Sequence, residues 1–308
     1  MPKRTVQEVR VGSHSLALSN LDKVMYPQTG FTKADVIDYY ARVAPAILPH
    51  LKDRPLTLKR YPDGVEAPFF YQKECPPHPK WVDTTTVYSE SNDKDIHYCM
   101  ANKLETLVWL ANAGDLEMHT FLAKAKDIAR PTMVAFDLDP GPGADILTCA
   151  QVAAWLKKDL DALGLQGFPK VSGSKGIQVY VPLNTAVDYE SGTKPFSRAM
   201  AERMQREHPD LVVSNMRKDL RTNKVLVDWS QNTESKTTVC VYSLRAKPEP
   251  WVSTPVTWRE LAGAAAKDDP QRLYFSPEEV LRRVDRLGDL FEPVLTLKQK
   301  LPKAKAKA

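Results

Sequence analysis

Apolar residues recur along the chain at two different periods, which separate predicted helices from predicted strands. Val36, Tyr40 and Ile47 follow a spacing near 3.6 residues, which is typical of an amphipathic helix. Thr32 precedes this segment and Asp35 lies three positions later, an arrangement similar to a capping box. We therefore predict a helix that begins just after Thr32.

The same reasoning extends to the rest of the chain. It predicts five more helices, over 103–113, from Asp145 to Gly164, over 194–207, and near 257–265 and 276–288. It predicts strands in the segments RPLTLKRYPDG, APFFYQKE, MVAFDLDP, FPKVSGSKGIQVYVPL, KVLVDWS and TTVCVYSL. Because the strands come in pairs without a regular βαβ alternation, we predict an α+β fold of largely antiparallel sheets with outer helices.

Composition adds few constraints on partners or location. Hydrophobic residues make up 43% of the 308 positions, enough for a sizeable core, and the net charge of +5 permits a nucleic-acid partner without requiring one. No window approaches about 18 consecutive apolar residues, so we expect no membrane contact. The first 16 residues lack the apolar core of a signal peptide, so we expect a cytoplasmic protein.

The cysteines are expected to be reduced thiols, because disulfides are uncommon in the cytosol. Cys75 and His78, together with His97 and Cys99, have donor types that zinc accepts. Their spacing differs from the tight pairs of most structural zinc sites, and two buried cysteines beside two ordinary histidines explain it equally simply. Zinc is therefore not expected. The four cysteines are Cys75, Cys99, Cys149 and Cys240.

The segment MVAFDLDPGPGADI ends a predicted strand with two aspartates. Asp137 and Asp139 share one face because strand side chains alternate, and a rigid Pro-Gly-Pro-Gly turn follows them. Asp228, in KVLVDWSQN, supplies a third carboxylate on another predicted strand. Three such oxygens suit Mg²⁺ or Mn²⁺, and two such ions commonly serve nucleotidyl transfer. The alternative is that these are solvated aspartates at strand ends.

A small flexible loop and several cations complement these carboxylates. Ser172-Gly173-Ser174-Lys175-Gly176 offers backbone N–H groups and one ammonium to a phosphate, although it is not a Walker A motif and resembles a hairpin turn as much. A triphosphate needs several cationic partners. Each of the candidate cations, taken by itself, is more typical of a solvated surface charge. The candidates are Lys59, Arg60, Arg221 and Arg245.

Three aromatic residues in a row, Phe69-Phe70-Tyr71, are more typical of a core than of a base-stacking surface. Strand alternation places Phe70 on the face opposite Phe69 and Tyr71, so one side remains available to a base. The sequence does not decide between Phe70 and Tyr71 as the stacking residue.

Taken in order, the motifs LKRYPDG, FFYQKE, FDLDPGPGAD, SGSKG and VLVDWSQN…KTTVCVYSLR resemble the polymerase domain of bacterial ligase D and its stand-alone relatives. That family belongs to the archaeo-eukaryotic primase superfamily, and the resemblance covers roughly residues 12 to 290. It implies a primase-polymerase fold of two facing sheet modules, one RRM-like, with the active site between them. It also implies a metal-dependent, template-directed addition of NTPs or dNTPs to a 3′-OH, often with a preference for ribonucleotides and Mn²⁺. The implied role is the filling of short gaps at DNA breaks, in end joining or excision repair.

The resemblance assigns roles residue by residue. The metal ligands are Asp137, Asp139 and Asp228, of which the first two bridge two ions and the third completes the ion that activates the 3′-OH. A loop arginine near the 3′ end is Arg221. The nucleotide-binding residues are Lys59, Arg60, Phe70 or Tyr71, His119, Ser172, Lys175, Gln178 and Arg245. The pocket for a gap's 5′-phosphate contains Asn20, Lys23 and Lys33.

One position departs from the family pattern. Ligase D polymerase domains commonly carry a histidine where this chain has Gln178. Glutamine keeps the hydrogen bonding but cannot become positively charged, so we predict weaker phosphate binding unless Lys175 or Arg245 compensates.

The family pattern also predicts the domain layout. We expect a catalytic domain over 1–292, followed by a basic flexible tail over 293–308. Its parts are an N-terminal module over about 1–115, a catalytic RRM-like module over about 116–250 and C-terminal helices over 251–292.

The chain contains no K-x-D-G nucleotidylation motif, so we do not expect it to seal nicks. The resemblance therefore implies a separate or fused ATP-dependent DNA ligase and Ku as partners, on DNA with gaps or breaks that carry a 5′-phosphate. Two alternatives come from other classes of protein. A non-catalytic DNA-end-binding module would keep Lys23 and Lys33 but tolerate loss of Asp137, and a metal-dependent nuclease would need no triphosphate pocket.

Overall fold

The computed structural model describes residues 5 to 302. Contacts between Cα atoms divide these residues into two compact units, each assembled from separate segments of the chain. The first unit contains residues 5–121, 237–254 and 275–289. The second unit contains residues 122–236, 255–274 and 290–302.

The described residues form seven α-helices, most of them where the sequence pattern predicts one. These are α1 (Lys33–Leu51), α2 (Leu104–Asn112), α3 (Ile146–Ala162), α4 (Lys194–Glu207), α5 (Trp258–Ala266), α6 (Pro277–Leu287) and α7 (Pro293–Thr296). The capping box predicted for α1 is present: the Thr32 side chain accepts from the N–H of Asp35, and the Asp35 carboxylate accepts from the N–H of Thr32. A second box, at Asp145, starts α3.

The strands are numbered along the chain as follows: β1 (Val6–Val11), β2 (His14–Ser19), β3 (Val24–Tyr26), β4 (Phe31–Thr32), β5 (Leu56–Arg60), β6 (Phe70–Gln72), β7 (Asp83–Ser89), β8 (Lys94–Met100), β9 (Asp115–Phe121), β10 (Ala123–Lys124), β11 (Asp127–Pro131), β12 (Met133–Pro140), β13 (Phe168–Val171), β14 (Ile177–Pro182), β15 (Val212–Val213), β16 (Val225–Asp228) and β17 (Thr237–Val239).

The first unit is built on a six-stranded sheet in the order β17-β9-β5-β8-β7, with β6 paired to β5. Its strands pair antiparallel, as predicted. Helix α1 packs against α2 and α6. Tyr39 and Tyr40 of α1 are fully buried, and the Tyr40 hydroxyl donates to the carbonyl of Leu116 at 2.7 Å, which ties this helix to β9.

The second unit is built on a five-stranded sheet in the order β13-β14-β12-β16-β15. All its strand pairs are antiparallel except β15 with β16. Helix α3 contacts β12, β14 and α5, while α4 contacts β12 and β15. Because β12 lies at the centre of this sheet, its side chains meet neighbours from strands on both sides.

Two predicted segments differ from the structure. The strand predicted over TTVCVYSL ends at Val239, because Tyr242 takes a left-handed φ of 66° and its N–H bonds to the carbonyl of Ser253. Residues 293–302, predicted to begin a flexible tail, instead contain α7 and pack within the second unit. The Gln299 side chain exchanges hydrogen bonds with the Gln166 backbone, and its Nε2 also donates to the carbonyl of Pro182. The rest of the predicted tail, 303–308, lies outside the described residues.

Within residues 5–302, no helix has both the length and the apolar character needed to cross a membrane.

Candidate active site

Four polar side chains form one row across the sheet of the second unit. On the central strand β12, Asp137 lies directly opposite Asp228 of β16 on one side and opposite Gln178 of β14 on the other. Gln178 lies in turn opposite Lys170 of β13. Residues directly opposite each other on antiparallel strands share a face of the sheet. Asp139, two positions along β12, projects from that same face.

The carboxylates in this row are close enough to disturb each other's ionisation. Burial raises the pKa of Asp137, and the negative charges of Asp139 and Asp228 raise it further, to about 8. A hydrogen bond from Gln178 and the charge of Lys170 offset only part of this effect. The three aspartates thus form a site of concentrated negative charge, in which one proton is retained near neutral pH.

Lys170 was missed by the sequence analysis, although it belongs to this row. Its side chain is fully buried, and its ammonium lies 5.7 Å from the centre of the Tyr180 ring. The Tyr180 hydroxyl donates to Oε1 of Gln178 at 3.2 Å. That bond fixes the orientation of the amide, so its NH₂ group is the part that faces Asp137. The signal in the sequence was a lysine inside an otherwise apolar strand segment, FPKV.

The carboxylates bond to protein donors in this structure. Asp228 accepts hydrogen bonds from the backbone and hydroxyl of Ser230, at 2.8 and 2.7 Å, and from Nε2 of Gln231 at 3.0 Å. Among residues 5–302, no three or more His, Cys, Asp or Glu side chains are grouped so that they could hold a metal ion. The three-carboxylate metal site therefore stays a prediction, supported by the type and proximity of its oxygen donors.

The Pro-Gly-Pro-Gly turn after β12 holds the loop that carries Arg221. The Gly141 N–H bonds to the carbonyl of Lys224, and the Asn223 N–H bonds to the carbonyl of Pro142. A Cβ atom on Gly141 would lie only 1.9 Å from the Arg221 carbonyl oxygen, so glycine permits this close approach. The turn therefore places the Arg221 backbone beside the end of the aspartate strand. The Arg221 Nη2 group donates to the carbonyl of Met216.

The Ser172–Gly176 loop is held by its own serine. The Ser172 hydroxyl accepts from the N–H groups of Ser174 and Gly176, both at 3.2 Å, and the Ser172 N–H bonds to the carbonyl of Gly176. Lys175 at its tip is exposed. A Cβ on Gly176 would lie 2.4 Å from the Leu138 carbonyl, so this loop also approaches β12 closely.

The first unit contains a separate cluster of cations around one buried acid, which the sequence analysis missed. Glu117 accepts from Lys59 at 3.3 Å, from Nε2 of His119 at 3.0 Å and from the N–H of Ala246 at 2.9 Å. Nε of Arg245 lies 3.2 Å from the same carboxylate. Three predicted nucleotide-binding residues therefore meet at one anion. The signal for Glu117 was its position two residues before His119, on the same face of the strand.

Charge sets the ionisation within this cluster. Burial acts to raise the pKa of Glu117, but the His119 hydrogen bond and the charges of Arg245, His119 and Lys59 hold it well below its usual range. Burial lowers the pKa of His119, and the hydrogen bond to Glu117 offsets only part of that effect. Glu117 is thus a permanent anion at neutral pH.

Exposed aromatic residues border the cation cluster. Phe69, Phe70 and Tyr71 are each about half exposed, which excludes the alternative that they belong to a core. The Lys59 ammonium lies 4.7 Å from the centre of the Phe69 ring, and the Tyr71 ring lies 6.1 Å from that of His119. Flat apolar faces beside positive charge match the two parts of a nucleotide.

Arg60 is bonded within its own unit rather than free at the cluster. Its Nε donates to the Ala113 carbonyl and its Nη1 to Gln72, while it pairs across the sheet with Asp115. Asp115 is fully buried, and burial raises its pKa well above the usual range despite the charge of Arg60. These contacts fix Arg60 as part of the sheet.

The three residues predicted to bind a 5′-phosphate lie around one turn of the first unit. The Lys23 N–H bonds to the carbonyl of Asn20, and the Lys33 N–H bonds to the carbonyl of Lys23. The Lys33 side chain is buried and donates to the Ser19 carbonyl at 2.7 Å. The Lys23 ammonium forms an ion pair with Asp63, also at 2.7 Å.

The prediction that all cysteines are free thiols is wrong for one pair. Cys75 and Cys99 form a disulfide with a Cα–Cα distance of 5.0 Å, whereas Cys149 and Cys240 are free and buried. The Cys75 N–H bonds to the carbonyl of His97, which holds the loop before β7 against β8 and brings the two sulfur atoms together. A zinc site that uses both thiolates is incompatible with this bond.

Comparisons with known proteins agree on one family. A model of the LigD primase-polymerase domain matches residues 32–291. LigD of Mycobacterium bovis, a multifunctional non-homologous end joining protein, is 41% identical over 288 residues, which cover 90% of this chain and 36% of that protein. The bifunctional LigD of Bacillus subtilis is 33% identical over 275 residues, 89% of this chain and 43% of that protein. The chain thus spans just over a third of the length of the mycobacterial relative.

A solved structure supports the same assignment at the level of the fold. The polymerase domain of Mycobacterium tuberculosis ligase D, solved in complex with DNA, has a TM-score of 0.84 and 38% identity to this chain. The match covers 92% of this chain and 99% of that one. The predicted α+β primase-polymerase fold and the predicted family are therefore confirmed. The chain belongs to the LigD primase-polymerase domain family, whose members are DNA-directed nucleotidyltransferases.

Proposed function

We propose that this protein fills short gaps at DNA breaks by adding NTPs or dNTPs to a 3′-OH under the direction of a template. The observation that supports this most is the meeting of Asp137 and Asp228, with Asp139 beside them, on the central strands of a sheet. In the context of the family, such a concentration of carboxylates is what nucleotidyl transfer with divalent cations requires.

The donor set fits hard divalent cations. Mg²⁺ and Mn²⁺ prefer carboxylate oxygens. Burial raises the pKa of Asp137 most, and the repulsion by Asp139 and Asp228 that raises it further is an electrostatic cost that a cation would remove. Asp137, Asp139 and Asp228 would hold two such ions. When bound, they supply the positive charge that lowers the pKa of the 3′-OH and stabilises the leaving pyrophosphate.

The remaining groups of the second unit would orient the reactants. Tyr180 holds the Gln178 amide, which in turn keeps Asp137 in place by donating to it. Lys175 would meet phosphate charge at the tip of its loop, and Ser172 would preserve the shape of that loop. Arg221 would contact the primer near its 3′ end from the loop held by Gly141.

The first unit would bind the incoming nucleotide through the Glu117 cluster. Lys59 and Arg245 would supply positive charge for a triphosphate, and His119 would supply a ring nitrogen for hydrogen bonding. Phe70 or Tyr71 would supply a stacking face for the base. Asn20, Lys23 and Lys33 would bind the 5′-phosphate on the far side of a gap. A terminal phosphate dianion suits two ammonium groups and an amide.

The proposal includes partners and a setting. Relatives named as non-homologous end joining proteins are longer than this chain, which supports action beside a DNA ligase, in the same or a separate polypeptide. We also propose that the protein acts with Ku at DNA ends and that it is located in the cytoplasm.

Primer extension on a gapped duplex tests the proposal. The duplex would carry a 5′-phosphate and one unpaired template base, with Mn²⁺ and each of the NTPs and dNTPs supplied in turn. Wild-type protein should incorporate the complementary nucleotide and release one pyrophosphate per addition. Asp137→Ala/Asp139→Ala should lose several orders of magnitude in rate while still binding the duplex.

Each alternative function gives a distinct result in that experiment. Duplex binding without extension by the wild-type protein would indicate an end-binding module and contradict the proposal. Shortening of the primer without pyrophosphate release would indicate a nuclease. Incorporation that ignores the template base would contradict template direction.

A further inference from the structure

One buried carboxylate organises the cations of the first unit. Glu117 is 1% exposed, and each of its oxygens has two partners. Oε1 accepts from Lys59 and from the N–H of Ala246, while Oε2 accepts from His119 and lies against Arg245. Lys59 and the consecutive residues Arg245 and Ala246 come from segments distant from Glu117, whereas His119 lies two residues along the same strand.

The three side chains that contact Glu117 are more exposed than Glu117 itself. Lys59 is 21% exposed, whereas His119 and Arg245 are each 14% exposed, so all three retain a path to solvent. Glu117 carries one negative charge, whereas Lys59 and Arg245 carry one positive charge each. Positive groups held a few ångströms apart repel one another strongly in a partly desolvated site. The carboxylate beneath them offsets that repulsion.

The geometry points to Glu117 as a positioning residue, which holds Lys59, His119 and Arg245 in the arrangement that receives the phosphates of a nucleotide. This inference rests on the proposed function, because it assigns these cations to the incoming triphosphate. Glu117 itself is buried beneath the cations and contacts no phosphate. Its effect on nucleotide binding is exerted through the three side chains.

If Glu117 served only the stability of the fold, its loss would affect nucleotide binding no more than the loss of another buried glutamate in the same unit. Glu105, in the same unit, is also a buried glutamate, and it lies 3.5 Å from a histidine, His14, and accepts from the N–H of Ser13. In the described part of the chain, Glu105 has no lysine or arginine partner. Glu105→Gln therefore reproduces the loss of a buried charge without disturbing the nucleotide-binding cations.

The test compares Glu117→Gln and Glu105→Gln with wild type on the gapped duplex, as a function of nucleotide concentration. Loss of Glu117 should raise KM for the nucleotide about ten-fold or more, the effect expected for loosened charge-assisted hydrogen bonds, and change kcat much less. Glu105→Gln should leave KM unchanged. The His119 ring, followed by NMR titration and assigned with His119→Gln, should lose a proton at lower pH in Glu117→Gln.

The fold of each variant is checked by thermal unfolding before kinetics. If Glu117→Gln does not fold, Glu117→Asp keeps the charge but withdraws it by one methylene, and it should raise KM in the same direction. Folded Glu117 variants with wild-type KM, or with tighter nucleotide binding, would overturn the inference. An unchanged His119 titration would overturn it as well.

The controls separate this inference from the function on which it rests. If wild type extends the primer and Glu117→Gln matches it, the inference fails alone and the proposed function stands. If wild type and Glu105→Gln both fail to extend any primer, the proposed function fails and takes the inference with it.

Discussion

Asp137 and Asp228 lie directly opposite each other on adjacent antiparallel strands, although they are far apart in the sequence. Such a pair of carboxylates on one face of a sheet is unfavourable unless a proton or a cation separates the charges. The protein keeps Gln178 and Lys170 on the other side of Asp137, where they relieve only part of the repulsion. This arrangement of carboxylates therefore costs the fold stability.

The raised pKa of Asp137 makes the stability of the metal-free protein depend on pH. The carboxyl has a pKa of about 8 in the folded chain, against an ordinary value of 3.8. Between about pH 4 and about pH 8, the folded state thus holds a proton that the unfolded state has lost. The stability that is linked to this proton is fully present below about pH 4 and is lost as the pH rises through about 8. In EDTA, the free energy of unfolding of wild type should fall relative to Asp137→Asn, by at most about 1.4 kcal/mol per pH unit.

Urea denaturation of both proteins, between about pH 5 and pH 9, measures this difference. Asparagine does not titrate, so the variant serves as the reference at each pH. Parallel pH profiles for the two proteins would contradict a raised pKa at Asp137.

Gly141→Ala should disturb catalysis through the Arg221 loop. The added Cβ would lie 1.9 Å from the Arg221 carbonyl oxygen, so the loop must shift. We expect a loss of about 1–3 kcal/mol in stability from overpacking and a kcat reduced about ten-fold or more.

Gly263→Ala in α5 is the control, because a Cβ there meets nothing within 4 Å. It should keep full activity and gain up to about 1 kcal/mol in stability. Equal kcat in both variants would show that the turn does not position Arg221.

The disulfide can be tested by counting thiols. Protein purified without reductant and unfolded in guanidinium should show two reactive thiols, from Cys149 and Cys240, and four after reduction. Cys75→Ser should lower stability by about 2–5 kcal/mol under non-reducing conditions, the range typical for loss of a native disulfide. Four thiols before reduction would mean that Cys75 and Cys99 are not bonded.

Asp63→Asn should strengthen recognition of a 5′-phosphate. Lys23 is engaged by Asp63 at 2.7 Å, and a phosphate must compete for the same ammonium. Exposed ion pairs contribute about 0.2–1 kcal/mol, so affinity for a 5′-phosphorylated gap should rise between about 1.4- and five-fold. Fluorescence anisotropy would measure this, with a 5′-hydroxyl gap as the control. An equal gain on both DNAs would indicate a general charge effect rather than release of Lys23.

Local features of the fold could be predicted because their signals lie within a few residues. The box at Thr32 and Asp35, and the extent of α4, depend on caps and periodicity that the sequence displays directly. The shared face of Asp137 and Asp139 follows from strand alternation alone. These predictions needed no knowledge of distant contacts.

Relationships between distant segments could not be predicted in the same way. The register that sets Asp137 against Asp228, and the contacts that gather Lys59, His119 and Arg245 at Glu117, depend on how strands pair. The disulfide was missed because a cytoplasmic assignment favours thiols, whatever the positions of the cysteines. Exposure of the Phe69–Tyr71 segment depends on β6 lying at the edge of its sheet, which composition does not reveal.

The most direct test of the account is the effect of Asp228→Asn on pyrophosphate release during single-nucleotide gap filling. Asparagine retains the size of the side chain and an oxygen acceptor for Ser230, so the fold should persist. We predict that the rate of pyrophosphate release falls by several orders of magnitude, as in Asp137→Ala/Asp139→Ala. The control is Asp210→Asn, which changes an exposed aspartate of the same unit and should stay active. Wild-type pyrophosphate release by Asp228→Asn would contradict the claim that Asp137 and Asp228 act together at one catalytic centre.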